Sequence, residues 1–438
     1  MIAPTRGPVS WGQAPKGSDP LARSELNAIP SERSEPSVIP SERSERSVIP
    51  SERSESRDLH LQTLQLGMEW FGEEAGGLNR VYAHLVDELA RTGAEVHGLV
   101  AGSDDVARAS RGLVHAFAPT SAPLLSRLRA LRAASSAWLR EHPDAVVVSH
   151  FALHAFPVLS RLGAHPFVVH FQGPWGAESR VEGAGALTAF AREMVERRVY
   201  RRADRAIALS AAFRDVLARE FRVPMERIDV IPGGVDVDRF AIAASRSECR
   251  RALGWPTDRP IVLSVRRLVR RVGVDTLVEA ANVLRARVPD ALVLVAGTGP
   301  LRSELEARVA ALGLERHVQF LGFVPDDDLP TAYRAADLTV VPTAALEGFG
   351  LITIESLAAG TPCVVTPVGG LTDVITPLSP QLVTETPSAG DIGALLAAAL
   401  RGSVALPTAR ECESFARRDY DWPVVAERVR QVYEAARR

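Results

Sequence analysis

Two glutamates, Glu347 and Glu355, bracket a Gly-Phe-Gly turn in the run Glu347-Gly-Phe-Gly-Leu-Ile-Thr-Ile-Glu355. The apolar segment Leu338–Val341 ahead of them reads as a strand, and Pro342 to Glu347 as a loop. A helix is expected from near Leu351 to a stop at Gly360, with Pro362 just beyond. Gly348 and Gly350 let the backbone approach a ligand closely. A helix start presents unpaired N–H groups and partial positive charge, which suits a diphosphate. Glu355 falls just over one turn inside, on a face that reaches a ligand at the helix start.

A second cluster is Arg266-Arg267-Leu268-Val269-Arg270-Arg271-Val272-Gly273. It follows the apolar run Ile261–Val265 and precedes a helical pattern. Four arginines in a strand-to-helix loop neutralise phosphate through planar, two-pronged hydrogen bonds. Arginine has to do this work, because Lys16 is the only lysine in the chain. Gly72-Glu-Glu-Ala-Gly-Gly77 resembles a phosphate-cradling turn without the GxGxxG spacing, and Gly297-Thr-Gly299 is a similar turn. His150 follows Val146-Val-Val-Ser at a strand end and is expected to face a cleft. His170 leads into Phe171-Gln-Gly-Pro-Trp175, a rigid turn suited to an acceptor.

These groups need a scaffold that brings strand ends together. From His60 onward, short apolar runs alternate with helical patterns. Strand-like runs are Leu61–Gly67, Glu95–Ala101, Ala145–Ser149, Pro166–His170 and Ala206–Leu209. A second series comprises Ile261–Val265, Ala291–Ala296, Val318–Leu321, Leu338–Val341 and Cys363–Thr366. Such alternation means parallel sheets with helices on both faces. The expected fold is α/β, two tandem doubly wound Rossmann-like domains facing a cleft, with ligands at the carboxyl ends of the strands. The expected boundaries are 58–238, 239–411 and a final segment, 412–438, that crosses back to the first domain.

Residues 1–57 carry a ten-residue repeat starting at Ile29, Ile39 and Ile49, each copy with a proline and too few aliphatics for a core; this reads as a disordered tail. The formal net charge of −2 does not suit a general nucleic-acid binder. Three scattered cysteines suit a reducing cytosol better than a disulfide framework. No apolar run is long enough to span a bilayer, and the start lacks a secretory h-region. The expected location is cytoplasmic. Arginine-rich stretches at Leu124–Arg140 and Glu193–Arg205 suit peripheral contact with the inner membrane face, or simply a solvated surface.

Taken in order, the motifs resemble the retaining GT-B glycosyltransferases of group 1, or family 4. The shared features are Glu347 and Glu355 with seven residues between them, Ile231-Pro-Gly-Gly-Val-Asp236, Arg267-Leu268, Ala296-Gly-Thr-Gly-Pro300, Leu321-Gly-Phe323 and Thr366-Pro-Val-Gly-Gly370. Gly76-Gly-Leu-Asn-Arg80 and the segment from His170 to Ser179 look like bacterial exopolysaccharide-type members. The resemblance implies that Glu347 lies near the reacting carbon of a donor sugar and Glu355 binds ribose hydroxyls. It implies that amides of Phe349, Gly350 and Leu351, with Gly76 and Gly77 across the cleft, hold the diphosphate. Arg267 would meet the leaving phosphate, His150 would assist near the sugar, and Gly299 would lie toward the base. The family's lysine before Gly273 is Val272 here, so Arg270 or Arg271 is expected to replace its charge. Gln172 stands where many members have histidine.

The implied activity is metal-independent transfer of a sugar, with retention, from a nucleotide-sugar such as a UDP- or GDP-sugar to a glycan or lipid-linked acceptor, with no other cofactor. A catalytically silent partner subunit of the same fold is the competing reading. A nicotinamide dehydrogenase is disfavoured by the missing GxGxxG.

Overall fold

The computed structural model describes residues 60–74 and 76–438. The repeat tail, 1–57, lies outside the described residues. The first domain contains β1 (Gln62–Glu69), β2 (Glu95–Ala101), β3 (Val114–Ala118), β4 (Val146–Ser149), β5 (Phe167–Phe171), β6 (Arg205–Ala208) and β7 (Ile228–Val230). They form one parallel sheet in the order β3-β2-β1-β4-β5-β6-β7. The second contains β8 (Ile261–Val265), β9 (Leu292–Ala296), β10 (Val318–Gly322), β11 (Leu338–Val341) and β12 (Cys363–Val365). These are again parallel, in the order β10-β9-β8-β11-β12. The expected pair of doubly wound sheets is therefore present.

Strand periodicity divides each sheet between two helical layers. In β4, Val147 faces one layer while Val146 and Val148 face the other. The first layer carries the helices Leu124–Glu141 and Ala186–Arg202. The second carries Gly77–Arg91, through Val81, Leu85 and Leu89, and also the chain's last helix, Trp422–Ala436.

The segment expected to cross back, 412–438, divides in two. Helix Ala409–Tyr420 stays in the second domain, burying Cys412, Phe415 and Ala416 in its core. Only Trp422–Ala436 joins the first domain. The apolar stripe of each helix decides this, and the crossing falls at Asp421. There Val235 N donates to Tyr420 O (2.8 Å) and Trp422 N donates to Val235 O (3.2 Å), so the two interdomain crossings run side by side.

The returning helix also completes a buried polar pair. Tyr433, fully buried, hydrogen-bonds His170 Nε2 through its hydroxyl at 2.7 Å. Burial holds the His170 pKa down at about 3, so the ring is neutral. Tyr433→Phe strands a buried polar atom and is expected to cost about 1–3 kcal/mol of stability, read as a lower urea midpoint at unchanged slope.

Candidate active site

Both sheets reverse strand order at one point, between β1 and β4 in the first and between β8 and β11 in the second. Ligands bind outside the carboxyl ends of strands at such switch points. The loops that leave these strands are the ones the sequence singled out. Gly72–Gly77 follows β1, His150 follows β4, Arg266–Gly273 follows β8 and Pro342–Gly350 follows β11.

In the second domain two of these loops are joined by their backbones. Ala344 N and Ala345 N both donate to Arg271 O, at 3.0 and 3.2 Å. Gly273 has φ +72°, and a Cβ there would fall 1.9 Å from Pro342 O. Only glycine permits that approach. Gly369, at φ +59°, packs against Glu347 O in the same way, and Gly370 N donates to that oxygen at 3.0 Å. Leu346, immediately before Glu347, adopts φ +56°, an uncommon conformation for a residue with a side chain. The Glu347 backbone is thus fixed from both sides.

The Glu347 carboxylate accepts from Arg266 Nη2 at 2.7 Å and from Thr343 Oγ1 at 3.0 Å. Burial pushes its pKa up. The Arg266 charge and hydrogen bond, with Thr343 and Arg271, outweigh that and hold it below the usual carboxylate value. Arg266 is itself buried, with its Nη2 also on Thr343 Oγ1 at 2.9 Å. Its neighbour Arg267 is exposed, and its side chain has no hydrogen-bond or ion-pair partner among the described residues. At the end of β8 the two arginines diverge, one inward to Glu347 and one toward solvent. The sequence showed the run but not this division of labour.

Arg270 and Arg271 also part. Arg270 pairs with Glu304 at 3.2 Å, on the helix Arg302–Ala311. Arg271 donates through Nη1 to Leu346 O at 3.2 Å and lies 3.5 Å from Glu182 of the first domain. Of the two replacements considered for the family lysine, Arg271 is the one beside Glu347. Arg267 and Arg271 also act electrostatically on Glu178, whose carboxyl is raised chiefly by burial. Sequence reasoning missed Glu178, which comes from the helix Trp175–Val181. Its position in the segment after His170 was the available signal.

Two helices meet start to start across the cleft. A Cβ at Gly77 would lie 3.7 Å from Leu351 Cδ1, so the first turns of Gly77–Arg91 and Leu351–Ala358 face each other. Neither start is capped by a side chain. The N–H groups and positive dipole ends of both helices therefore converge. Gly350 precedes the second helix at φ +80°, and the Phe349 ring is buried in the domain core beneath it. One turn further in, Arg80 Nη1 donates to Glu355 Oε1 at 2.9 Å, and Tyr333 Oη donates to Oε2 at 2.8 Å. Arg80 also pairs with Asp326, which in turn pairs with Arg239. Burial raises the Glu355 pKa, and Arg80 and Tyr333 work against it. Arg80 stood in the Gly76–Arg80 motif without an assigned role, and Tyr333 was not singled out in the sequence. The helical spacing from Gly77 to Arg80 places Arg80 on the first turn, and that was the clue.

One expectation is corrected. His150 does not face the cleft. It is 1% exposed, stacked on His170 at 4.4 Å, set edge-on to Tyr82 and hydrogen-bonded through Nε2 to Gln65 Oε1 at 2.8 Å. A strand end is open only if nothing packs over it, and here Tyr82 and His170 do. Burial, then His170, holds the His150 pKa well below its ordinary value. Gly299 packs against backbone, since a Cβ there would fall 2.4 Å from Leu268 O. Together with Gly297, which approaches Arg266 O, it buttresses the arginine loop.

Two facing Rossmann-like domains, with a Glu/Arg constellation and two helix starts at their switch points, define the GT-B class of fold. The sequence comparisons agree in both halves. Residues 75–239 match the profile of Glycosyltransferase Family 4, and residues 245–419 match Glycosyl transferases group 1. The 2-deoxystreptamine glucosyltransferase of Streptomyces kanamyceticus is 31% identical over 308 residues, covering 64% of this chain and 78% of that protein. The chain therefore belongs to the group 1, family 4 glycosyltransferases. Mannosylfructose-phosphate synthase of Agrobacterium fabrum is 38% identical over 183 residues, and the chain spans only 40% of its length. Among solved structures, Anabaena HepE in complex with UDP superposes with a TM-score of 0.69 at 19% identity, covering 86% of this chain and all of that one. At that identity the likeness is one of fold.

Proposed function

We propose that this protein transfers a sugar from a nucleoside diphosphate donor to a hydroxyl of a glycan or lipid-linked acceptor, with retention and without a metal ion. The observation that carries this reading is the meeting of two uncapped helix starts, with Arg271 next to the half-buried Glu347 and the Arg267 side chain exposed on the same loop. The donor's diphosphate would lie between Gly76-Gly77 and the amides of Phe349, Gly350 and Leu351. Glu355 would take the ribose hydroxyls. Each of its oxygens accepts one hydrogen bond, from Arg80 or from Tyr333, and keeps a second lone pair for a ribose hydroxyl. Glu347 would sit beside the sugar's reacting carbon. As the C1–O bond to phosphate breaks, Arg267 and the helix starts stabilise the charge left on the diphosphate. The acceptor oxygen bonds to C1 from the same face, and its proton passes to the departing phosphate.

Named relatives support a sugar-transfer role, and the HepE complex contains UDP. The test is a calorimetric titration with UDP, GDP and ADP. It is followed by incubation of each nucleotide-sugar with glycan and lipid extracts, reading free nucleoside diphosphate. Binding of at least one nucleotide and its release from the matching sugar donor are expected. No binding at millimolar concentration overturns the proposal. Binding without release in any extract favours a catalytically silent subunit.

A further inference from the structure

On the helix Ala186–Arg202, Leu187, Phe190 and Met194 are 82%, 57% and 49% exposed. Their spacing of three and four places them on one face. That face does not meet the core, which the helix enters through Ala189, Val199 and Tyr200. The same stripe continues into Arg198, which is exposed and has no ion-pair partner among the described residues.

The stripe does not stand alone. The short helical turn Phe156–Arg161 packs against both Ala186–Arg202 and Leu124–Glu141. Its first residue, Phe156, is 43% exposed. Leu124 and Leu125, the first two residues of their helix, are 48% and 68% exposed. In a parallel sheet the crossover helices start on the carboxyl side of the strands, the side on which the cleft opens, so Leu124, Leu125 and Leu187 lie on that side. Cations lie behind them. Arg127, Arg129, Arg132 and Arg140 follow along Leu124–Glu141, whose one acid is its last residue.

We infer that this side is a docking surface for an anionic phospholipid bilayer. Apolar tips backed by arginines whose charge is not cancelled locally match the chemistry of such an interface: side chains enter the acyl boundary and guanidinium groups meet the phosphates. No described helix is long and apolar enough to cross a membrane, so the contact is one of lying on the surface. If the transfer reading holds, on which this consequence rests, the cleft opens next to the bilayer and the acceptor is lipid-linked.

The test is flotation of the full chain with vesicles of phosphatidylcholine alone and of phosphatidylcholine mixed with anionic phosphatidylglycerol. The protein is expected to float with the anionic vesicles and to lose binding as salt rises. Leu187→Ser/Phe190→Ser/Met194→Ser is expected to weaken binding about tenfold or more, and Arg198→Ala about fivefold. Because these side chains are exposed, the thermal transition should not move. Failure of the wild type to float, or wild-type binding by the triple variant, overturns the inference. So does a dimer in light scattering that the triple variant abolishes, if no vesicle binds; the surface would then be a self-association face. Nucleotide titration on the same samples is independent. Nucleotide binding without flotation sinks the surface alone, and flotation without nucleotide binding sinks the transfer reading alone.

Discussion

Arg267→Ala is expected to lower turnover about 10²- to 10³-fold while leaving the thermal transition in place. The rate effect follows from where charge develops. When the sugar–phosphate bond breaks, a diphosphate gains negative charge that the ground state did not have. A preorganised donor aimed at that oxygen acts mainly on the transition state, and removing one costs roughly 2.7–4 kcal/mol of barrier. The absence of a stability effect follows from the surroundings of Arg267, which is exposed and pairs with no side chain. Arg270→Ala is the control. It removes the same charge from the same loop, but that charge is directed to Glu304, away from Glu347. Its turnover should stay within about twofold of wild type, since an exposed pair contributes little. Release of nucleoside diphosphate under saturating donor distinguishes them. Equal losses in both variants would mean that the loop supplies only a diffuse field. Wild-type turnover in Arg267→Ala would remove this residue from the reaction.

The interior of each sheet was legible because its strands are buried on both faces. Val146-Val-Val-Ser149 and Leu292–Ala296 are continuous apolar runs, and parallel sheets require such runs. The strands that went unread are the two edges of the first sheet. Val114–Ala118 is half-buried beyond its first residue, and Ile228–Val230 is three residues long with an aspartate at its centre. Neither carries the signal of a buried strand. The site divides in the same way. Glu347 and Glu355 could be found because their chemistry and the glycines between them lie within nine consecutive residues. The ion pair of Glu355 with Arg80 could not, because its partners are 275 residues apart and meet only when two domains close. His150 shows a third limit. Its place at a strand end was correct, but its exposure depended on Tyr82 and His170, and no local pattern reports what will pack over a position.

Arg266→Met separates the structural from the chemical role of the arginine run, with a sign that depends on pH. In the wild type the Glu347 side chain is only 13% exposed, and Arg266 holds its pKa below the ordinary value of 4.5. A group depressed in this way contributes stability above its unfolded pKa and loses it as pH falls through the folded one. Without Arg266 the burial that already pushes the carboxyl up is opposed only by Thr343 and Arg271. The folded pKa then rises above 4.5, and the charged form becomes a liability at neutral pH. Breaking a buried pair by removing one partner costs about 3–5 kcal/mol. That deficit should be present at pH 7, begin to narrow as pH falls toward 4.5, and be smallest only below the depressed folded pKa of the wild type, where Glu347 is protonated in the folded and unfolded chains of both proteins. Urea unfolding at pH 7 and pH 4.5 measures it. Adding Glu347→Gln to Arg266→Met removes the stranded charge and should recover most of the loss at pH 7, though not the activity. A deficit that does not change with pH, or a double variant no more stable than Arg266→Met, would show that Arg266 stabilises by packing rather than by its charge. In that case the low pKa of Glu347 would have to come from Arg271, the other cation beside it.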